Sequence, residues 1–232
     1  MKKELLLLAV LSVFLLSAVY VIAAPPGGPT VTATNLGEYL MGTPGGVNVE
    51  AGNITQADLE VNQSTTRWAG LVGNVTGDIV LGDDSYNIMY SWGGEGRYVY
   101  AADANSISWV DVTAAATGGE VTTQFTFLSD TPAQDNYSNT FNSTGTVTSD
   151  VLGSGSIATV SRATTFANDG SDQWYTYALY DSGGSETVFA GEVSVDGTAF
   201  NGNVHDYQML IPEDGTGADS AVTAWYLWVE LV

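Results

Sequence analysis

The stretch QWYTYALYDSGGSETVFAGEVSV, residues 173–195, decides the fold. Two runs, 173–180 and 186–195, are dense in Trp, Tyr, Thr, Val and Phe. Such side chains suit a pleated sheet surface. Between them lies Asp181-Ser-Gly-Gly-Ser185, short enough for a hairpin connection, with Gly183 and Gly184 free to take positive φ.

The same grammar extends outward in both directions. Period-two alternation recurs at 30–34, 58–62, 78–82, 87–92, 97–101, 106–112, 121–127, 156–163, 206–211 and 221–231. Turn signals such as GDDSYN, GGEG, NDGSD, VDGT and EDGTG separate the runs. No stretch beyond residue 24 reads as a helix over three turns. Short strands at this spacing predict one all-β domain over residues 58–232, a β-sandwich of the jelly-roll or immunoglobulin-like Greek-key kind. Residues 129–155, rich in Ser, Thr, Asn and Asp, read as a long loop or ragged edge. In the last strand Trp225, Leu227, Val229 and Leu231 are expected on the core face, and Tyr226, Trp228 and Glu230 on the other.

The N-terminus has a different character. Lys2 and Lys3 precede an apolar run of about 20 residues, which ends at Ala23-Ala24 before the Pro/Gly break 25–29. That order predicts a secretory signal at residues 1–23, with a retained membrane anchor as the alternative. Either way the rest of the chain is expected to be secreted and extracellular, at the cell surface. Without residues 1–23 the basic count falls from 5 to 3 and the acidic count from 26 to 25, so the net charge moves from −21 to −22. Only Arg67, Arg97 and Arg162 then remain as bases. Such a chain repels nucleic acid and anionic lipid, so membrane contact is expected only through the signal or anchor segment. It contains no Cys, which removes disulfides and thiolate sites.

TTRWAGLVGNVTGDIVLGDD, residues 65–84, reads as two strands around a turn at Gly73–Gly77. Trp68, Leu71 and Val72 anchor the first strand, and Ile79 and Leu81 point inward from the second. Arg67 is expected to pair with a carboxylate or stack on an aromatic ring. With EAGNITQADLEVNQS (50–64) before it, this stretch resembles a group of secreted archaeal surface proteins. They pair an aGNiT segment with a TxRWaGxxGNvtGxIxL segment and close on endings like HDYQMLIP (205–212) and WYLWVELV (225–232). The resemblance implies an archaeal cell-surface β-rich protein and names no activity.

Five Asn-x-Ser/Thr sequons mark glycan acceptors at Asn53, Asn62, Asn74, Asn136 and Asn142. Acidic turns offer Ca²⁺ candidates at Asp83 with Asp84, Asp169 with Asp172, and Asp214 with Asp219. None follows a helix–loop–helix calcium pattern, and no cofactor is otherwise indicated. The single His, His205, has no nucleophile-elbow Ser beside it, so no catalytic residue is assigned. Paired carboxylates of a glycosidase remain a question of distance that the sequence leaves open.

Residues 24–57 form an extended leader with β-like pieces TVTAT and VNVEA. Their Val31, Val47 and Val49, with Tyr226 and Trp228, are the candidate interface residues. The function expected is non-enzymatic: a structural or adhesive subunit of a pilus-like extracellular filament. Residues 30–50 would complete the next copy's sheet by donor-strand complementation, with itself as principal partner and surface glycans as a further one. The alternative is a monomeric carbohydrate- or surface-binding module using Tyr226 and Trp228.

Overall fold

The computed structural model describes residues 26–39, 43, 45–115, 118–129, 133–168, 173–215 and 223–232. The expected signal segment, Asp169, Asp172 and Asp219 lie outside the described residues. Described in order, the strands are β1 (Trp68–Gly73), β2 (Asp78–Gly82), β3 (Ile88–Gly93), β4 (Gly96–Ala102), β5 (Val112–Ala114), β6 (Ser143–Thr148) and β7 (Ser156–Phe166). They continue as β8 (Gln173–Asp181), β9 (Glu186–Glu192), β10 (Gly197–Thr198), β11 (Val204–His205), β12 (Tyr207–Pro212) and β13 (Tyr226–Leu231). Two short helices, α1 (Gly119–Gln124) and α2 (Tyr137–Thr140), interrupt them.

The protein is all-β, with antiparallel sheets packed against each other. The sandwich is lopsided. One sheet runs β13-β4-β9-β8-β7-β6, with β5 taking the end of β8 beyond β7. A two-stranded sheet, β1 with β12, packs on one of its faces. The β8–β9 hairpin is the one expected from residues 173–195. Its turn is held by Asp181, whose Oδ1 accepts from Gly183 N at 2.9 Å and Gly184 N at 3.0 Å.

The large sheet is buried on both faces. In β4, Tyr98, Tyr100 and Ala102 face one core, while Val99 and Ala101 face the other. In β9, Val188 and Ala190 alternate with Phe189 in the same way. This explains the near-continuous apolar run VFA, which a strand exposed on one side does not need. Loops carrying Trp109 and Leu152 cover the first core. The β1–β12 pair and both helices cover the second.

Several sequence expectations are corrected. Residues 121–127 form α1 and a following 3-10 turn, not a strand. Val121, Phe125 and Leu128 are buried at helical spacing, and Thr122 and Thr123 hydroxyls donate to the carbonyls of Gly118 and Gly119, four residues back. Residues 109–111 form a 3-10 turn because Asp181 Oδ2 accepts from Ser108 N and Ser108 Oγ donates to Asp111. The expected strands at 30–34 and 58–62 have no strand partner among the described residues and lie exposed. Strand propensity needs a paired edge before it becomes a strand. Residues 129–155, expected as a long loop or a ragged edge, include α2 and β6 among the described residues, and β6 is a bulged edge of the large sheet, in line with the second alternative.

The 65–84 stretch is not one hairpin. β1 pairs with β12, and β2 pairs with β3. Its conspicuous residues do packing work. Arg67 pairs with Asp135 at 2.9 Å and donates from Nε to the Phe127 carbonyl at 2.9 Å, while the Trp68 indole donates to the Asp135 carbonyl at 2.7 Å. Gly73 and Gly77 abut the side chains of Tyr207 and Leu231. Of the stretches quoted for the resemblance, 65–84 therefore meets 205–212 through β1–β12 pairing and 225–232 through the Gly77–Leu231 contact.

Candidate functional site

β13 ends the large sheet, and its outer side is met only at one point among the described residues. There Gly27 N donates to the Val229 carbonyl at 3.1 Å, and Val229 N donates to the Gly27 carbonyl at 3.0 Å. Backbone groups alternate sides along a strand, so Leu227 also points its N–H and C=O outward. No backbone partner takes them among the described residues. The last residue is secured on the inner side, where Val232 and Glu95 exchange backbone bonds at 2.9 and 3.0 Å.

β13 is also anchored from within through Glu230. Glu230 is only 2% exposed. Its Oε2 accepts from the Tyr100 hydroxyl at 2.9 Å, and its Oε1 accepts from Asp150 N at 2.8 Å with Arg97 at 3.5 Å. Burial, then the Glu230 charge, pushes the Tyr100 phenol well above its ordinary range. A groove of about 460 Å³ runs beside this edge, bounded by Pro26–Pro29, Ile79, Val151, Val229 and Leu231.

Ile79 belongs to the β2–β3 ribbon. Cross-strand register puts Ile79 opposite Trp92 and Leu81 opposite Tyr90 on one face, with Ile88 in line. That face is wholly apolar, yet its five side chains are 42 to 62% exposed. Tyr90 and Trp92 lie 4.8 Å apart, centroid to centroid. The inward alternation expected for Ile79 and Leu81 is therefore not realised, because no layer of the same chain covers them among the described residues. At the tip, Asp83 accepts from the Asn87 amide at 2.9 Å and from Ser85 N at 3.0 Å. The Asn87 side-chain bond leads in holding its carboxyl below the usual range.

The remaining candidates fall into place by burial. Val31, Val47 and Val49 are exposed. Tyr226 is exposed, but Trp228 packs edge-on against Trp109 at 5.5 Å, so the pair is not an open platform. The sheet's second face has its own core, which the alternation did not reveal. Asn53, Asn62, Asn74 and Asn142 are exposed. Asn136 is only 6% exposed and caps α2, its Oδ1 accepting from Asn139 N at 2.9 Å. Asp83 is engaged in its own turn, Asp84 Oδ1 meets the Ser85 hydroxyl at 3.4 Å, and Asp214 is exposed. Among the described residues no three His or acidic side chains gather for a metal. His205 Nδ1 lies 3.0 Å from Asn74 Oδ1 on the surface.

An open depression is lined by two carboxylates, Glu120 and Glu186, with Gln124 and Tyr180. Gln124 Nε2 donates to Asp103 at 2.7 Å and Glu186 at 2.9 Å, while its Oε1 accepts from Thr187 N at 2.8 Å. Burial, then the Asp103 charge, raises the Glu186 carboxyl. The arrangement ties α1 to β9. Comparison with protein-family models, with curated proteins and with solved structures finds no match to this chain.

Proposed function

We propose that the chain is a non-enzymatic extracellular structural and adhesive protein, a subunit of a cell-surface filament built by strand donation from residues 30–50. One mismatch carries the reading: among the described residues, 30–39 and 45–50 carry exposed apolar side chains and have no strand partner, while β13 is an apolar sheet edge met only at Gly27. An open edge is a template for another chain. Backbone bonds supply affinity there, and alternate side chains supply register. The Gly27 contact is a one-residue version of the same bond. Because donor and acceptor are different surfaces, repetition is head to tail and runs on as a filament.

Secretion rests on the basic, apolar, small-residue order of the N-terminus, and the surface-protein resemblance of residues 50–83 agrees with that compartment. The sugar-binding alternative depended on Tyr226 and Trp228 together, and the packing of Trp228 on Trp109 weakens it.

Electron microscopy of the purified extracellular protein tests the reading. Regular filaments that disappear on deleting residues 30–50, and a synthetic 30–50 peptide that binds the truncated protein, are expected. Dispersed particles at high concentration across salt and Ca²⁺ conditions would overturn it.

A further inference from the structure

The two-stranded ribbon β2–β3 poses a problem of its own. An isolated hairpin is marginal in water, and three strands or a packed layer are normally needed. Here the ribbon has one uncharged face of Ile79, Leu81, Ile88, Tyr90 and Trp92, all substantially exposed. Scattered surface hydrophobics need no explanation, but a continuous apolar face does. Among the described residues, no layer of this chain packs on that face.

The chain carries a matching surplus. β13 is six residues long. A stretch such as Thr30–Thr34 occupies most of it, leaving the second β-like piece, Val47-Asn-Val49, unassigned. That piece alternates apolar and polar with both valines exposed. Residues 30–50 carry two charged side chains, Glu38 and Glu50, and the ribbon face has none, so the apolar contact of Val47 and Val49 with that face brings no two charges together. Ile79 joins the surfaces, since it lies in the wall of the same groove that Val229 and Leu231 bound. A lipid occupant is disfavoured, because Asp78, Asp83 and Asp84 lie on the ribbon and residues 68–96 contain no Lys or Arg.

We propose that the ribbon's apolar face is a second acceptor surface, covered by Val47 and Val49 of another copy of this chain. The donated segment is then held twice, by backbone pairing on the β13 edge and by side-chain burial under the ribbon. This inference rests on the strand-donation reading and adds the clamp.

The absence of Cys permits a direct test. Full-length proteins carrying only Val49→Cys or only Leu81→Cys are mixed under mild oxidation, alongside the Val47→Cys and Leu81→Cys pair. A covalent heterodimer that forms only on mixing is expected. In the doubly substituted chain, a disulfide ladder supports the clamp, whereas a disulfide confined to monomers means the chain's own segment covers the ribbon and overturns it. Leu81→Asp and Trp92→Asp are expected to cut association roughly tenfold or more each, since each removes the burial of a large apolar side chain. Val195→Asp, exposed on the body, should leave association unchanged. Circular dichroism checks that the variants remain folded. Wild-type filaments that persist in both ribbon variants without cross-links refute the clamp and leave strand donation standing. A wild type that never polymerises removes both.

Discussion

The large sheet and the β2–β3 ribbon are built from the same kinds of residue, and both are antiparallel. In β9 the run Val188-Phe189-Ala190 is fully buried, each side chain alternating between two cores. In β2 the run Ile79-Val80-Leu81 is exposed throughout. Local sequence does not separate the two. Their surroundings do: β9 has strands on both sides and layers above and below, whereas β2 has one strand partner and no layer among the described residues. The two edges of the large sheet differ in the same instructive way. β6 is polar and interrupted by a bulge, which blunts pairing, while β13 offers Leu227 and Val229 on an edge that is regular up to Glu230.

Substitution should widen that contrast. Phe189→Ala, at the centre of the buried sheet, is expected to destabilise the fold by about 3–5 kcal/mol in urea denaturation, the usual result of a large core truncation. An unaltered midpoint would mean that the two cores are not close-packed.

Next comes the anchor of the acceptor edge. Glu230→Ala leaves the Tyr100 hydroxyl and Asp150 N without their carboxylate and should cost about 2–3 kcal/mol, with Glu230→Gln recovering part of it.

Alkali supplies a graded version of the same contrast. Burial raises Tyr137 and Tyr177 from an ordinary value of 10 to about 12, with Glu192 adding to the effect at Tyr177. A raised folded-state value means that the unfolded chain releases its protons first. Stability should therefore be level below pH 10 in this respect and fall as pH rises through about 12. Urea midpoints against pH, followed beside tyrosinate absorbance, read this directly. A rise in stability over that window would contradict the burial of both rings.

The smallest change is expected in the ribbon. Trp92→Ala should alter monomer stability by no more than about 0.5 kcal/mol, as exposed sites usually do. A cost near that of Phe189→Ala would show that the ribbon is already covered within one chain.

Much of the architecture was legible from residues alone. The β8–β9 hairpin, β4, β7, β12 and β13 follow alternation between turn signals. Arg67 found the carboxylate expected of it in Asp135. The misses share a cause. Val121, Phe125 and Leu128 carry a helical spacing that was masked by Thr-rich strand propensity. Trp228 and Glu230 were assigned to an open face because alternation marks two faces without saying whether the second is covered. The candidate interface at Val31, Val47 and Val49 was visible as a surplus of β-like sequence. The ribbon face was not, since apolar alternation reads as inward whenever a core is assumed.

What this sequence determines by itself is therefore local and compositional: strand and turn chemistry, and a Cys-free acidic chain. Tertiary structure alone decided which strand became an edge, which apolar faces met, and which were left without cover. The physical reason is that backbone pairing and burial are relations between segments distant in the chain. A residue's propensity is its own, but its partner is supplied by the fold.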